Sequence, residues 1–280
     1  MNRREFLIST GVLLAAGPAQ GQASGDAKPP FRTITYNVLA LKGYPERRTN
    51  VHLLERARPQ MAQRLALELG LYAPDVITLQ EAPTEEKVAE AAKHLGFNYV
   101  YFDGGFPGAL LTRHEITDSE NSPIPEGERS NNLFTRHWGR AVVDTGSQQI
   151  HYYSIHMHPR ETKIRQREAK IALDVMRPDL DAGVPLVFQG DLNHTPQGPE
   201  YALWQGAGLV DCGAAVGDDS PSMSTTNPRY RIDHIWCAGP LAQRIQSCRV
   251  LYENAFRADT NIDASFALSD HIPVMAEFRT

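Results

Sequence analysis

Asp191 and Asn193 stand just past the apolar run Leu186, Val187, Phe188, in the stretch FQGDLNHTP (188–196). The run reads as a buried strand, and Gly190 as the bend that ends it. Side chains two apart in an extended chain share a side, so both are expected on one face beyond the strand end. Open α/β sheets place ligands there. Taken alone the stretch reads first as a turn, because Gly-Asp-x-Asn is ordinary turn chemistry. Other predicted strand ends shift that balance. Asn37 sits at the end of FRTITYNV, Glu81 at the end of DVITLQEA and His156 after QIHYYSI, while Asp233 lies in a strand at 231–237 and Asp270 with His271 just before one at 273–279. Each has a plain structural explanation. Asn37 could form a turn, Glu81 enter a helix, His156 hydrogen-bond in a core and Asp233 pair with Arg231. Their coincidence at strand ends is not explained this way, since one packed sheet system gathers such ends at a rim. Acids, amides and imidazoles at one rim make a metal-plus-base site the economical reading.

The elements that must carry these residues follow from spacing. Ile34, Tyr36 and Val38 share one face of a strand over 31–38. Pro59 suits the first turn of a helix, with Met61, Leu65 and Leu69 at four-residue spacing and Gly70 closing it. Strand 75–82 precedes a helix capped by Thr84, with Glu85 and Glu86 in its first turn and Gly96 at its end. FNYVYF, GALLT, RAVVD and QIHYYSI are short and separated by Gly, Asn and Pro, which predicts antiparallel pairing. The polar stretch 117–137 reads as loops plus a strand, and 160–177 as a helix stopped by Pro178. A short helix near 199–206, a loop over 213–228 and strands at 231–237, 246–251 and 273–279 complete the chain. With no repeats and no internal linker, the expectation is one domain, 31–280, built from two mixed sheets and flanking helices.

The chain has 280 residues, 41% hydrophobic and 22% charged, with a net charge of −5. That is globular composition, and an acidic chain has no built-in field for polyanions. NRREFL (2–7) resembles a twin-arginine export signal, followed by an apolar run (7–16) and small residues (19–23) suited to cleavage. The run is far short of the roughly 20 residues a membrane span needs. The expectation is an export signal at 1–23 read by the twin-arginine machinery, a linker at 24–30, and a mature protein that is periplasmic or secreted and acts as a monomer. Cys212, Cys237 and Cys248 are too few for a disulfide framework and read as buried thiols, although Cys237 and Cys248 fall in neighbouring predicted strands.

TYNVLA, ITLQEA, GALLTRHEI, YYSIHMHP, FQGDLNHTP, RIDHIW and LSDHIPVMAEF occur in the order and rough spacing of the endonuclease/exonuclease/phosphatase superfamily. The chain resembles that group over 31–280. Its members include pancreatic-type deoxyribonucleases, AP endonucleases, secreted sphingomyelinases, inositol-polyphosphate phosphatases and deadenylases. The resemblance implies a four-layer α/β sandwich, two packed mixed β-sheets flanked by helices. It implies that Glu81 is the main carboxylate ligand of Mg²⁺ or Mn²⁺, with Asn37 and Asp270 nearby, an oxygen set suited to a hard cation. His271 would be general base or proton relay and Asp233 would orient it. Asp191 would align or deprotonate the attacking water, Asn193 hold a phosphate oxygen, and His156 contact the scissile phosphate. The implied reaction is in-line attack of water on phosphorus.

The substrate is less constrained. His156-x-His158 permits a rival zinc reading, but Pro159, Arg160 and Glu161 follow it where metallo-β-lactamase-like enzymes carry Asp-His. The histidine in SIHMH departs from the AP-endonuclease pattern and favours phosphatase, sphingomyelinase or deoxyribonuclease branches. Arg160, Lys163, Arg167 and Lys170 recur at 3-4-3 spacing on one helix face, diluted by Glu161 and Glu168, and read first as a solvated face. A sphingomyelinase needs an apolar membrane element, for which FDGGFP (102–107) is short. Small phosphate esters and nucleic acid are the leading candidates, lipid headgroups come behind, and a non-catalytic binding module is the reading from another class.

Overall fold

A computed structural model describes residues 28–45, 51–125, 127 and 132–280. The expected export signal, and the linker as far as residue 27, lie outside the described residues. Short β-rich segments between turn formers become strands β1 (Phe31–Asn37), β2 (Val76–Gln80), β3 (Asn98–Phe102), β4 (Gly108–Thr112), β5 (Glu115–Asn121), β6 (His137–Asp144), β7 (Gln149–His156), β8 (Leu186–Asp191), β9 (Val210–Asp211), β10 (Asp233–Ala238), β11 (Ile245–Val250) and β12 (Val274–Phe278). They form two six-stranded mixed sheets, in the orders β11-β12-β1-β2-β4-β3 and β5-β6-β7-β8-β10-β9. The helices are α1 (Val51–Ala57), α2 (Met61–Gly70), α3 (Glu85–Leu95), α4 (Thr162–Ala182), α5 (Pro199–Gly206) and α6 (Cys212–Val216).

Strand alternation assigns the layers. Inward residues of β6, β7, β8 and β10, such as Val143, Tyr152, Val187 and Ile235, join a core shared with β1, β2, α2 and α3. Their outward neighbours Tyr153, Ile155, Phe188 and Trp236 pack with Ala169, Ala172 and Met176 of α4 and Trp204 of α5. The expected four-layer sandwich is therefore present: helices, sheet, sheet, helices. Met61, Leu65 and Leu69 of α2 are buried, as their spacing requires. The thiols of Cys212, Cys237 and Cys248 are free and buried. Among the described residues no helix is long and apolar enough to cross a membrane.

Some local expectations fail for physical reasons. Pro178 does not stop its helix, which runs on to Ala182 and closes at Gly183 in the left-handed region (φ 65). Asp174, whose carbonyl the proline leaves without a donor, and Pro178 itself are both exposed, so the lost bond falls on the solvent side of the helix, where it is tolerated. Thr84 holds the N-cap position of α3 with extended backbone but makes no side-chain cap bond. Pro59 lies in a 3₁₀ turn, Arg58–Gln60, ahead of α2 rather than in its first turn.

The sheets meet through a buried polar seam. Thr33 and Thr35 of β1 and Thr78 and Gln80 of β2 face Gln189 of β8, all fully buried. The Thr33 hydroxyl donates to Gln189 Oε1 (3.0 Å), and Gln189 Nε2 donates to the Ile34 carbonyl (3.0 Å) and to Thr78 Oγ1 (2.9 Å). Thr78 Oγ1 donates to Thr35 Oγ1 (3.2 Å), which donates to Gln80 Oε1 (3.2 Å). Beside the seam, Gly190 lets β8 lie against β7: a Cβ there would come within 1.9 Å of the Ile155 carbonyl oxygen. Backbone cannot yield as a side chain tip can. We therefore expect Gly190→Ala to cost at least about 3 kcal/mol, the upper range for overpacking, as a lowered urea midpoint with unchanged m-value.

Candidate active site

Sheet register carries the scattered strand ends to one point. β7 and β8 run parallel with His156 beside Asp191, and β10 runs antiparallel to β8 with Asp233 beside Asp191. Neighbours in register point to the same face, so the three side chains project together into the gap between the sheets. Asn37 ends β1 on the facing sheet, two residues on from Thr35 and on the same side. β12 is antiparallel to β1 with Val274 opposite Thr35, which returns Asp270 and His271 to the end of β1. Glu81 follows β2 directly, with φ at 46° in the left-handed region, a strained position for a side chain other than glycine. Its carbonyl accepts from Ala40 N–H (2.7 Å), and the next residue, Ala82, donates to the Pro107 carbonyl (2.8 Å), which fixes the bend.

Asp191 is the hub. Its Oδ2 accepts from Asn37 Nδ2 (3.0 Å) and lies 3.3 Å from His156 Nε2 and 3.7 Å from His271 Nε2. Its Oδ1 accepts from the backbone N–H of Asn193 (3.0 Å). His271 Nδ1 lies 2.9 and 3.1 Å from the two oxygens of Asp233, and Asp233 Oδ2 accepts from the Ser222 hydroxyl (2.5 Å). Asp191, His156, Asp233 and His271 are all buried. Burial pushes the Asp191 carboxyl up and the charge of Asp233 adds to it, while His271 and Asn37 pull it back. Burial works against a charged His271, but Asp233 and Asp191 outweigh it and raise the imidazole. The proton of this pair therefore rests on His271. His156 is the opposite case: burial first, then Arg136, His137 and His271, hold it neutral.

The remaining candidates divide. The Glu81 carboxyl, half-buried, is raised by burial and by the charge of Asp270, and lowered by a hydrogen bond from Asn37. Two carboxylates close enough for the charge of one to raise the other, beside an amide, form an oxygen set that a hard divalent cation would relieve, so Glu81, Asp270 and Asn37 fit Mg²⁺ or Mn²⁺. Asp191, Asp233 and His271 also present ligand atoms within 4.8 Å of one another. Those atoms are already engaged in hydrogen bonds, which suits proton transfer better. Asn193 does not continue the strand beside Asp191. It turns at φ 52 and donates Nδ2 to the Met157 carbonyl (3.0 Å), so one amide hydrogen remains for a ligand.

Several expectations are corrected. His158 Nδ1 accepts from the backbone N–H of Glu161 (3.0 Å) and Arg160 (3.3 Å), so His156-x-His158 is not a zinc pair. Arg231 does not pair with Asp233; it binds Asp211 through both nitrogens (2.6 and 2.8 Å), leaving Asp233 to His271. His194, in the loop that follows Asp191, is buried, accepts from Trp204 Nε1 (3.0 Å) and stacks on His234 at 5.2 Å. Glu168, read as diluting a surface charge, is buried, whereas Arg160, Lys163, Arg167 and Lys170 are exposed.

Sequence reasoning missed Arg136 and Phe106. The Arg136 guanidinium lies 4.7 Å over the Phe106 ring, which itself meets the His156 ring edge-on at 6.4 Å. Burial lowers the Arg136 pKa, and the charges of Glu81, Asp191 and Glu168 raise it. The loop carrying Phe106 is pressed onto Arg136, since a Cβ at Gly104 would fall 1.7 Å from the Arg136 carbonyl oxygen. The one available signal was position: Arg136 directly precedes β6, whose first residue, His137, pairs with His156.

A two-sheet sandwich with acids, amides and imidazoles gathered at its strand ends defines a hydrolase built around a polar rim. A profile of the Endonuclease/Exonuclease/phosphatase family matches residues 34–271, and the chain belongs to that family. It is a phosphoester hydrolase of the metal-dependent kind. Similar solved structures include a mannosyl-6-phosphatase from Bacteroides thetaiotaomicron (TM-score 0.67, 17% identity, covering 88% of this chain and 98% of that one). Truncated TDP2 from Caenorhabditis elegans is similar at TM-score 0.66 and 17% identity, covering 90% and 98%. TDP2 from D. rerio, complexed with a single-strand DNA product, is similar at TM-score 0.63 and 18% identity, covering 90% and 99%. At such identities these likenesses speak to the fold. No curated protein matches the chain.

The Arg231–Asp211 pair touches none of the site acids, yet it holds the start of β10. Burial works to raise the Asp211 carboxyl, but His234 and Arg231 hold it well below the usual range. A depressed folded pKa stabilises the fold fully above about pH 4, the ordinary Asp value, and the effect fades as pH falls further. Asp211→Asn leaves Arg231 buried and half-paired and is expected to cost about 3–5 kcal/mol at pH 7. Chemical denaturation at pH 7 and pH 3 checks this: the difference between variant and wild type should shrink at the lower pH.

Proposed function

We propose that this protein is an exported phosphoesterase that hydrolyses a small phosphodiester or phosphomonoester by in-line attack of water, with Mg²⁺ or Mn²⁺. The observation that carries the reading is the shared Asp191 oxygen, within 3.7 Å of Asn37, His156 and His271 donor atoms, with Asp233 behind His271. Such a carboxylate can hold a water and accept its proton, and a carboxyl raised by burial is the better base near neutral pH. His271, charged and backed by Asp233, donates toward the phosphoryl oxygens and carries the proton onward. The spare Asn193 amide hydrogen and Arg136 supply donors where charge grows on phosphorus, and the single N–H of neutral His156 bridges Asp191 and the incoming phosphate. Glu81, Asp270 and Asn37 would hold the divalent ion, which when bound neutralises charge on the phosphoryl and leaving oxygens.

A secreted nuclease is the second reading. It is favoured by the exposed basic face of Arg160, Lys163, Arg167 and Lys170, which is less diluted than its sequence suggests because Glu168 turns inward. The mannosyl-6-phosphatase and the DNA-bound TDP2 fit one reading each, and neither decides between them. Export rests on the NRREFL segment, and N-terminal sequencing of protein from the periplasm tests it: an N-terminus near residue 24 supports export.

The test is a substrate panel on the purified mature protein with Mg²⁺ or Mn²⁺: bis(p-nitrophenyl) phosphate, p-nitrophenyl phosphate, sugar phosphates, plasmid and single-stranded DNA, RNA and sphingomyelin. EDTA should silence turnover, and steep inhibition by salt would favour nucleic acid. His271→Ala and Asp191→Ala should each lower kcat by at least about 10²- to 10³-fold with unchanged circular dichroism. Near-wild-type rates in either metal-loaded variant would sink the assignment.

A further inference from the structure

α4 lies on the outer face of the second sheet, away from the reacting groups, yet two of its charged side chains are buried. Arg165 and Glu168 point the same way, one helical turn apart, and both reach the backbone of His158. Glu168 Oε2 accepts from the His158 N–H (3.0 Å), and Arg165 Nη1 donates to the His158 carbonyl (3.2 Å). The other Glu168 oxygen accepts from the N–H of Phe134 (2.8 Å), a residue in the left-handed region at φ 48. Arg165 Nε donates to Glu200 Oε1 (2.9 Å), in the first turn of α5.

Each of these contacts leads to a site residue over a short span of chain. His158 is two residues from His156, and Phe134 two from Arg136. Glu200 follows the loop that starts at Asp191 and Asn193, and Asn193 is itself tied to Met157, between His156 and His158. A buried carboxylate is costly unless its oxygens are hydrogen-bonded. Here each oxygen is used by a different loop, so one carboxylate ties the Arg136 arm to the His156 arm just past the His137–His156 pair that ends the β6–β7 ladder. The charges also interlock, because Glu168 raises the Arg136 pKa and Arg136 lowers that of Glu168.

We propose that Glu168, braced by Arg165, is a positioning residue that fixes Arg136 and His156 relative to one another around the substrate phosphate. The proposal rests on the phosphoesterase reading of the site, and it adds a residue some way behind the reacting groups on which turnover depends. Glu168→Gln is nearly isosteric but turns an NH₂ toward one of the two backbone N–H groups, donor against donor. One arm is thereby released while the fold's other contacts remain. Glu168→Asp keeps the charge but is one methylene shorter and reaches only one arm.

The experiment measures kcat and KM for bis(p-nitrophenyl) phosphate in wild type, Glu168→Gln, Glu168→Asp, Arg136→Ala and the Glu168→Gln/Arg136→Ala double variant. Misplacement of about 1 Å costs up to about 10²-fold, so a folded Glu168→Gln should lose about 10- to 100-fold in kcat/KM. Added to Arg136→Ala it should lose clearly less than that, because part of its effect passes through Arg136. A kcat/KM within about twofold of wild type, or losses that multiply in the double variant, overturns the proposal; a residue that only supports the fold would give multiplied losses. Should Glu168→Gln not fold, Glu168→Asp is read by the same criteria. The imidazole ¹⁵N resonances of His156 are recorded in parallel and should shift in the Glu168 variants, and unshifted resonances also count against the clamp. If wild type hydrolyses no ester, the phosphoesterase reading fails separately and the His156 resonances alone decide the clamp.

Discussion

Two β-sheets that met through apolar side chains alone could slide over one another at modest cost. These cannot, because Thr33, Thr35, Thr78, Gln80 and Gln189 close a hydrogen-bonded seam in a fully buried layer. Each bond adds only about 1 kcal/mol net, but a group left unpaired there costs about 1–3 kcal/mol. Displacing the sheets would break several bonds together, so the seam acts on register more than on total stability. Its last rung is the Asn37–Asp191 contact at 3.0 Å. The hub of the site is thus the end of a structural ladder, and its geometry is inherited from residues that touch no substrate.

From that fixed point the charges arrange themselves. Asp191 would be an expensive buried carboxylate without Asn37 and the N–H of Asn193, and His271 an expensive buried cation without Asp233. The strain at Glu81 belongs to the same arrangement. A side chain at φ 46 is unfavourable by about 1–3 kcal/mol, and a regular strand would point it along β2's alternation instead. The bonds from Ala40 and to Pro107 hold the bend, so Glu81 leaves the strand toward Asn37 and Asp270.

Much of this was legible in the sequence, for a reason that also marks its limits. Asn37, Glu81, His156, Asp191, Asp233 and the Asp270–His271 pair stand at strand ends, and strand ends can be read from alternation and punctuation. Partner choice across the fold cannot. Arg231 looked like a neighbour for Asp233, yet it lies ahead of β10 rather than in it, and Asp211 takes the arginine. Glu168 looked like one acid on a charged helix, and only packing shows that its face is the buried one. Arg136 sat in a polar stretch with nothing in its local pattern to separate it from the residues around it. His194 and His234 are alike in type to the site histidines, and a wall of Trp204, Tyr201 and Trp236 turns them to structural use.

The balance of charge at the rim bears on how substrate and ion must bind. Glu81, Asp191, Asp233 and Asp270 gather at the rim, and among the described residues the cations that act on them there are Arg136 and His271. Asp233 and Asp191 already share His271, and Glu81 and Asp191 draw on the charge of Arg136. A phosphate ester approaching that rim adds negative charge to a surplus of the same sign, and low local dielectric magnifies the repulsion. A divalent cation held by Glu81 and Asp270 would reverse the sign locally, and each ligand would then tighten the binding of the other by the same factor. The acids that make the rim hostile to phosphate in the absence of the ion are the ones that make it selective for phosphate in its presence. On this argument the exposed cations of α4 could act only at a distance, on approach, while affinity at phosphorus would be set by the handful of groups around Asp191.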